Sequence, residues 1–271
     1  MAPILTYGLN ALLYAVLGAA LARGLWRLDR VPANGFVWIR YALLAPLALQ
    51  SWILYRDIFG ADAMYLGVGT ALAAIVWLSV LIYWASSFVY RLEGLQALVV
   101  PVAAVAALMP AIFPPLKPLT HANAPFFRIH LTLSIVAYSL FTIASLHVLL
   151  MAVVERGLHK GTLPPLLRNL PPLLTLEKLL FRVILLGFVL LTASLATGML
   201  FSESLFGRPL QFNHKTLFGI LSWLIFGSLL AGRARWGWRG RVALRWTLSG
   251  FLTLVLAYIG SKFVLEILLG R

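Results

Sequence analysis

Long apolar runs separated by short clusters of charge set the pattern of this chain. Uncharged stretches such as 64–90, 129–154 and 183–202 each match or exceed the roughly 20 apolar residues needed to cross the hydrocarbon core of a bilayer. Lipid offers the peptide backbone no hydrogen-bond partner, so a spanning run must satisfy its own N–H and C=O groups as a helix. Read between charge clusters, the pattern predicts an all-α polytopic transmembrane helical bundle with about eight spans. These fall near 4–22, 36–55, 64–90, 95–113, 129–154, 179–200, 216–232 and 246–267.

Alternating the spans across the membrane sorts the 22 basic residues into two unequal sets. Fifteen fall in one set of connections, around Arg23 to Arg40, at Arg91, from Arg156 to Arg182 and from Arg233 to Arg245. Seven fall in the other: Arg56, Lys117, Arg128, Arg208, Lys215, Lys262 and Arg271. Cytoplasmic loops carry the excess of Lys and Arg, so the richer set is expected inside and both termini outside. The outer connection 112–128 and the inner connection 156–178 are proline-rich. Proline fixes φ and removes a donor, so neither is expected to be one continuous helix. The pairs Pro164/Pro165 and Pro171/Pro172 suggest a segment along the inner surface, with Leu166, Leu167 and Leu170 toward lipid.

Composition agrees: 62% of the residues are hydrophobic and 11% charged, against roughly 25% charged in soluble domains. With no cysteine, disulfides, thiolate catalysis and Cys-ligated zinc or iron–sulfur sites are excluded by inventory. A net charge of +14 would suit nucleic acid only if a soluble face or domain concentrated it, and the chain has none, so the basic excess is assigned to orientation in the membrane. The first apolar run lacks a basic start and is followed by Arg23 and Arg27, which reads as a retained helix rather than a signal peptide. The whole, 1–271, reads as a single multi-pass domain of the cytoplasmic (inner) membrane, with the lipid bilayer as its first partner.

Ionisable groups at membrane depth are functional candidates because burying them is costly. Of five histidines, His121, His130 and His214 fall on the outer side, His147 within the fifth span and His159 in an inner loop. His130 opens the fifth span and His214 the seventh, at similar depth. Two imidazoles on neighbouring helices can hold haem iron from both axial sides; two helix starts resting in the headgroup region give the same spacing. His147 lies about 25 Å deeper, at 1.5 Å per residue, and joins a neighbouring helix or acts as an inner ligand. Tyr138 and Trp223, with Trp77, Tyr83 and Trp84, line either a porphyrin cleft or a packed core. No carboxylate stands at mid-bilayer depth, which weighs against coupled transport, and no Ser, His and acid set converges on a hydrolytic site.

Four segments carry a resemblance: HKTLFGILSWLIFGSLLAGR over 214–233, GWRGR over 237–241, TLSGFLTLVLAYIGSKF over 247–263 and HLTLSIVAYSLFTIASL from 130. They are similar to the cytochrome c assembly membrane proteins of the CcsA, CcmC and HemX type, with the YpjD branch the nearest. Lys215, Trp223, Leu224, Ile225, Phe226 and Arg233 fill the family's pattern after its Trp-rich loop. His130, Ser134, Ala137 and Tyr138 fill its pattern around an outward-facing haem-ligand histidine. The resemblance covers the second half of the chain; the first half matches in hydropathy. Phe212 and Phe218 stand where the family has tryptophans, Asn213 and His214 replace Asp-Pro, and Ala231 stands where it has an inner histidine. The resemblance implies a shared scaffold and haem (type b) near the outer face, with His130 as an outward ligand; the placement of residues along the spans adds His214 as the second metal ligand, Arg128, Lys215 and Arg208 toward the propionates, and Tyr138 and Trp223 beside the ring. The competing reading is a non-catalytic partner that stabilises another membrane protein, such as a transporter, after losing the cofactor.

The charge division makes a direct prediction for topology. Reporter fusions at the N-terminus, the C-terminus and 117–128 should be active outside, and fusions within 156–178 or 233–245 inside; a C-terminal fusion active in the cytoplasm means one span has been miscounted.

Overall fold

The computed structural model describes residues 2–27, 37–60, 64–90, 93–115, 118–119, 124–159, 161, 170–206 and 214–257. Every regular element among them is helical: α1 (Ala2–Arg27), α2 (Val37–Ala42), α3 (Leu44–Phe59), α4 (Val68–Ser86), α5 (Glu93–Ala106), α6 (Met109–Ile112), α7 (Pro125–His159), α8 (Leu173–Phe206), α9 (His214–Trp236) and α10 (Arg241–Val255). Seven stretches of the described residues are long and apolar enough to cross a membrane: Ile4–Leu25, Val37–Phe59, Val68–Ser86, Gly94–Ile112, Pro125–His159, Leu173–Met199 and His214–Trp236. They coincide in order with the first seven predicted spans. The eighth begins within α10, and its remainder, 258–267, lies outside the described residues, as does 162–169 of the inner connection.

Helices overrun the apolar runs because a helix does not stop where the hydrocarbon does. The 35 residues of α7 extend about 52 Å at 1.5 Å per residue, beyond a hydrocarbon core of about 30 Å. Its ends carry exposed Arg128, Arg156 and His159. Proline starts this helix, Pro125 at its first position, where a missing N–H costs nothing.

The chain forms two compact units, one of Met1–Pro115 with Leu149–Leu176 and one of Leu116–Val148 with Glu177–Arg271. In the first, α1 packs along α5 and α3, and α4 along α5, α6 and α3. Small residues set these distances. A Cβ on Gly69 would overlap the carbonyl oxygens of Met109 and Phe113, and one on Gly18 would meet the Pro101 ring at 3.2 Å. Polar side chains tie α1 to α3: Asn10 donates to Gln50, and the Tyr7 hydroxyl to Asp57 Oδ2 at 2.7 Å. Arg56, ion-paired to Asp57 at 2.6 Å, also donates to the Tyr7 oxygen at 3.1 Å. Between membrane helices each such bond is worth about 0.6 to 2 kcal/mol. The indoles of Trp77 and Trp84 donate to the carbonyls of Leu47 (3.1 Å) and Arg40 (2.8 Å), so their polar edges join α4 to α3 and α2.

In the second unit, α7 and α9 pack on adjacent faces of α8. Gly187, Ser194 and Gly198 on one face meet Phe141, Ser134 and His130 of α7. Phe188, Thr192 and Leu195 on the next face meet Gly227, Trp223 and Gly219 of α9. Phe141 and Phe226 stack at 3.8 Å where α7 and α9 touch, both fully buried. Helix α10 closes against this group: Ser222 donates to Gly250 O at 2.9 Å, and the Tyr138 hydroxyl to Leu254 O at 2.7 Å.

Gly69→Ala should destabilise the protein by about 1–3 kcal/mol, the usual range for overpacking, because the added carbon meets main chain that cannot swing away. Gly8→Ala, with nothing within 4 Å of its Cβ position, should leave the melting temperature in detergent unchanged or slightly raised. Equal melting temperatures for the two variants would refute the close approach of α4 and α6.

Candidate functional site

The site grows from the second turn of α7. The ring of half-buried His130 lies against α8, with Nδ1 3.0 Å from Ser194 O and 3.3 Å from Thr197 Oγ1. A carbonyl oxygen can only accept, so the bond requires the proton on Nδ1. The threonine hydroxyl already donates to Ala193 O at 2.8 Å, leaving its lone pairs for the same N–H. In a neutral imidazole, protonation at Nδ1 leaves a bare lone pair on Nε2, and that nitrogen meets no hydrogen-bonding group among the described residues.

Two features hold the ring in place. Ser134 Oγ donates to His130 O at 2.8 Å and lies 2.7 Å from Ser194 Oγ, so the serine of α8 supplies the proton of that second bond. Position 198 is glycine, and a Cβ there would meet His130 Cε1 at 3.2 Å; its absence lets the ring lie on the helix surface. An imidazole held by a carbonyl on one nitrogen and bare on the other is the arrangement found behind metal-ligating histidines, where the outer partner fixes tautomer and ring orientation.

His214 is the exposed first residue of α9. Gly219 lies level with Leu195 and Trp223 with Thr192, so α9 runs antiparallel to α8. His130 lies level with Gly198, so this register sets His214 two to three residues, about 3–5 Å, beyond the level of His130. Both histidines therefore stand at the same end of this unit.

Tyr138 is buried and bonded to Leu254 O, while Trp223 donates to Thr192 Oγ1 at 2.8 Å and stacks on Phe188 at 5.5 Å. Arg128 and Lys215 are exposed beside the two histidines. His147, fully buried in α7, has Nε2 without a partner among the described residues, and exposed His159 bonds back to Glu155 O at 2.8 Å. His121, Lys117 and Arg208 lie outside the described residues. Among the described residues no three His, Asp or Glu side chains group as a metal site. Sequence reasoning overlooked Ser194, Thr197 and Gly198. The signal was there: TASLATG over 192–198 interrupts a helix otherwise dominated by Leu, Val and Phe.

The family described as cytochrome C assembly protein matches residues 41–269. A 28.8 kDa protein of the nifR3-like 5' region of Azospirillum brasilense is 34% identical over 216 residues, 78% of this chain and 79% of that protein. Inner membrane protein YpjD of Escherichia coli K12 is 30% identical over 241 residues, 85% of this chain and 89% of that protein. Cytochrome c biogenesis protein CcsA of Chlamydomonas reinhardtii is 28% identical over 152 residues, 56% of this chain and 41% of that protein.

Nitrogen-15 NMR of the histidine-labelled, cofactor-free protein, assigned with His130→Gln, should show His130 with a protonated Nδ1 and a bare Nε2. Thr197→Val should leave that pattern in place, because the carbonyl remains. A bare Nδ1 would refute the geometry of the site.

Proposed function

We propose that this chain, which belongs to the cytochrome c assembly protein family, is a haem-binding membrane protein of cytochrome c biogenesis or haem handling, with haem b held near the outer face between the starts of α7 and α9. The observation that carries this reading is the anchored His130, whose Nδ1–H is committed to Ser194 O and whose Nε2 is left bare. The donor set fits: an iron–imidazole bond needs a neutral ring with a fixed tautomer, and the glycine at 198 leaves the ring edge clear of a side chain.

In this reading His214, slightly further out on the neighbouring helix, supplies the second imidazole. Arg128 and Lys215 put positive charge at the same end, where the propionates of a membrane-embedded porphyrin reach the interface. Tyr138 and Trp223, both fastened by hydrogen bonds, form fixed walls deeper in the same helix cluster. When bound, haem supplies an iron centre that exchanges one electron. The protein's own part is to hold two imidazoles at a set spacing, to neutralise the carboxylates and to keep water from the inner edge. The name of the Escherichia coli relative supports the inner membrane as the location, and the bilayer and haem are the partners this reading needs; a second membrane protein would be an additional one.

Visible spectra of the protein purified from haem-supplied cells test the proposal. The wild type should give a six-coordinate low-spin b-type spectrum, and His130→Ala or His214→Ala should each give a five-coordinate spectrum or none. The same change at His121, His147 or His159 should leave the spectrum intact. Gly198→Leu, which displaces the ring, should weaken haem affinity about 10- to 100-fold, as loss of orienting contacts does at metal sites. Full low-spin spectra from both single ligand variants would overturn the pairing, and colourless wild-type protein would overturn haem binding.

A further inference from the structure

The turn joining α9 to α10 concentrates charge and aromatic surface that the haem reading leaves unused. Between positions 233 and 246 stand Arg233, Arg235, Arg239, Arg241 and Arg245 with Trp236, Trp238 and Trp246. The backbone is built for a sharp reversal: Gly237 and Gly240 have φ of 65° and 55°, a region that side chains other than glycine disfavour. The Gly237 N–H returns to Arg233 O at 3.2 Å, an αL cap that ends α9. Trp238 folds back over Gly232, into space a Cβ would occupy, and its ring lies between Trp236 at 5.8 Å and Trp246 at 5.2 Å.

One of the five arginines is spent inside the protein. Arg233 pairs with buried Glu177 at 2.6 Å, lies 4.7 Å over the Phe181 ring and donates to Trp238 O at 3.3 Å. That contact fixes the indole stack to the start of α8. The other four are exposed, and among the described residues no carboxylate pairs with them. Trp236, at the outer end of the stack, is 67% exposed.

We propose that this turn is a binding site for the phosphate headgroup of anionic phospholipid, in the leaflet that meets the ends of α9 and α10. Guanidinium groups grip phosphate oxygens in a bidentate fork. Indoles settle at headgroup level, and clustered basic residues next to a membrane helix attract anionic lipid. An acidic protein would meet the same charge, but the indole stack at the ends of two apolar helices puts these arginines at the depth of headgroups. The Arg233–Glu177 pair is internal, so the rigid floor does not depend on the lipid.

Purified full-length protein is titrated with dioleoyl phosphatidylglycerol, dioleoyl phosphatidylcholine, inorganic phosphate or polyglutamate, read by retained lipid in native mass spectrometry and by melting temperature. Phosphatidylglycerol should be retained and should raise the melting temperature, while phosphatidylcholine and millimolar phosphate should do neither. In Arg239→Gln/Arg241→Gln/Arg245→Gln the affinity for phosphatidylglycerol should fall roughly a hundredfold, about fivefold for each charge lost near the headgroups. The matching triple Lys variant should fall far less, and it carries the comparison if the Gln variant does not accumulate. Equal binding of the two lipids, or an unchanged Gln variant, overturns the proposal. Displacement of phosphatidylglycerol by phosphate alone reassigns the site to a free anion, and tighter binding of polyglutamate reassigns it to an acidic protein.

Discussion

A helix carbonyl has two lone pairs, and its own helix uses one. In hydrocarbon no solvent competes for the second, and a donor without a partner costs several kcal/mol. Much of this structure follows from those two facts. Four of its membrane-depth aromatics and hydroxyls direct their polar edges at main-chain oxygens of neighbouring helices: Trp77 at Leu47, Trp84 at Arg40, Ser222 at Gly250, Tyr138 at Leu254. His130 obeys the same rule at Ser194. The candidate ligand is thus a special case of the way these helices are fastened. It differs because an imidazole that has discharged its donor still has an acceptor nitrogen to offer.

Small residues make these bonds possible. A side chain reaches a main-chain oxygen on another helix only if the helices approach closely, and Gly69, Gly187, Gly198 and Gly250 stand where a Cβ would meet a neighbour. Helix α8 shows the division of labour. One of its faces carries Gly187, Ser194 and Gly198 for α7, and the adjacent one carries Phe188, Thr192 and Leu195 for α9. Its outward Leu185, Leu186 and Val189 are exposed, as suits a side facing lipid.

The architecture was legible in the sequence because hydrocarbon imposes one simple test, about 20 apolar residues in a row, that leaves a coarse mark. Helix ends were less legible, since α7 and α8 continue through charged residues at the interface where apolar counting stops. The interruption at Leu43 between α2 and α3 was marked only by Pro46, whose missing N–H breaks a span that composition reads as continuous. His130 stood out as an ionisable group at the start of a span, yet its partner did not. A main-chain carbonyl has no letter of its own, and Ser194 signals only a hydroxyl. Resemblance in the first half of the chain was likewise limited to hydropathy, whereas the family match begins at residue 41. A family can share weak preferences at many positions of α3, α4 and α5 without sharing any one conspicuous residue there.

The anchor of His130 has a genetic consequence. Its acceptor is an atom that every amino acid possesses, so replacing Ser194 by alanine deletes the hydroxyl bond to Ser134 and leaves the acceptor where it was. Proline aside, a saturation screen along α8 would score position 194 for its packing and position 198 for its size, and those scores would be blind to the bond that sets the tautomer. Only a change in the path of the chain moves that oxygen, such as a proline at 198, which removes the N–H four residues on and kinks the helix at that point. Selection acting on this contact therefore acts on the course of α8 and not on the identity of any one residue.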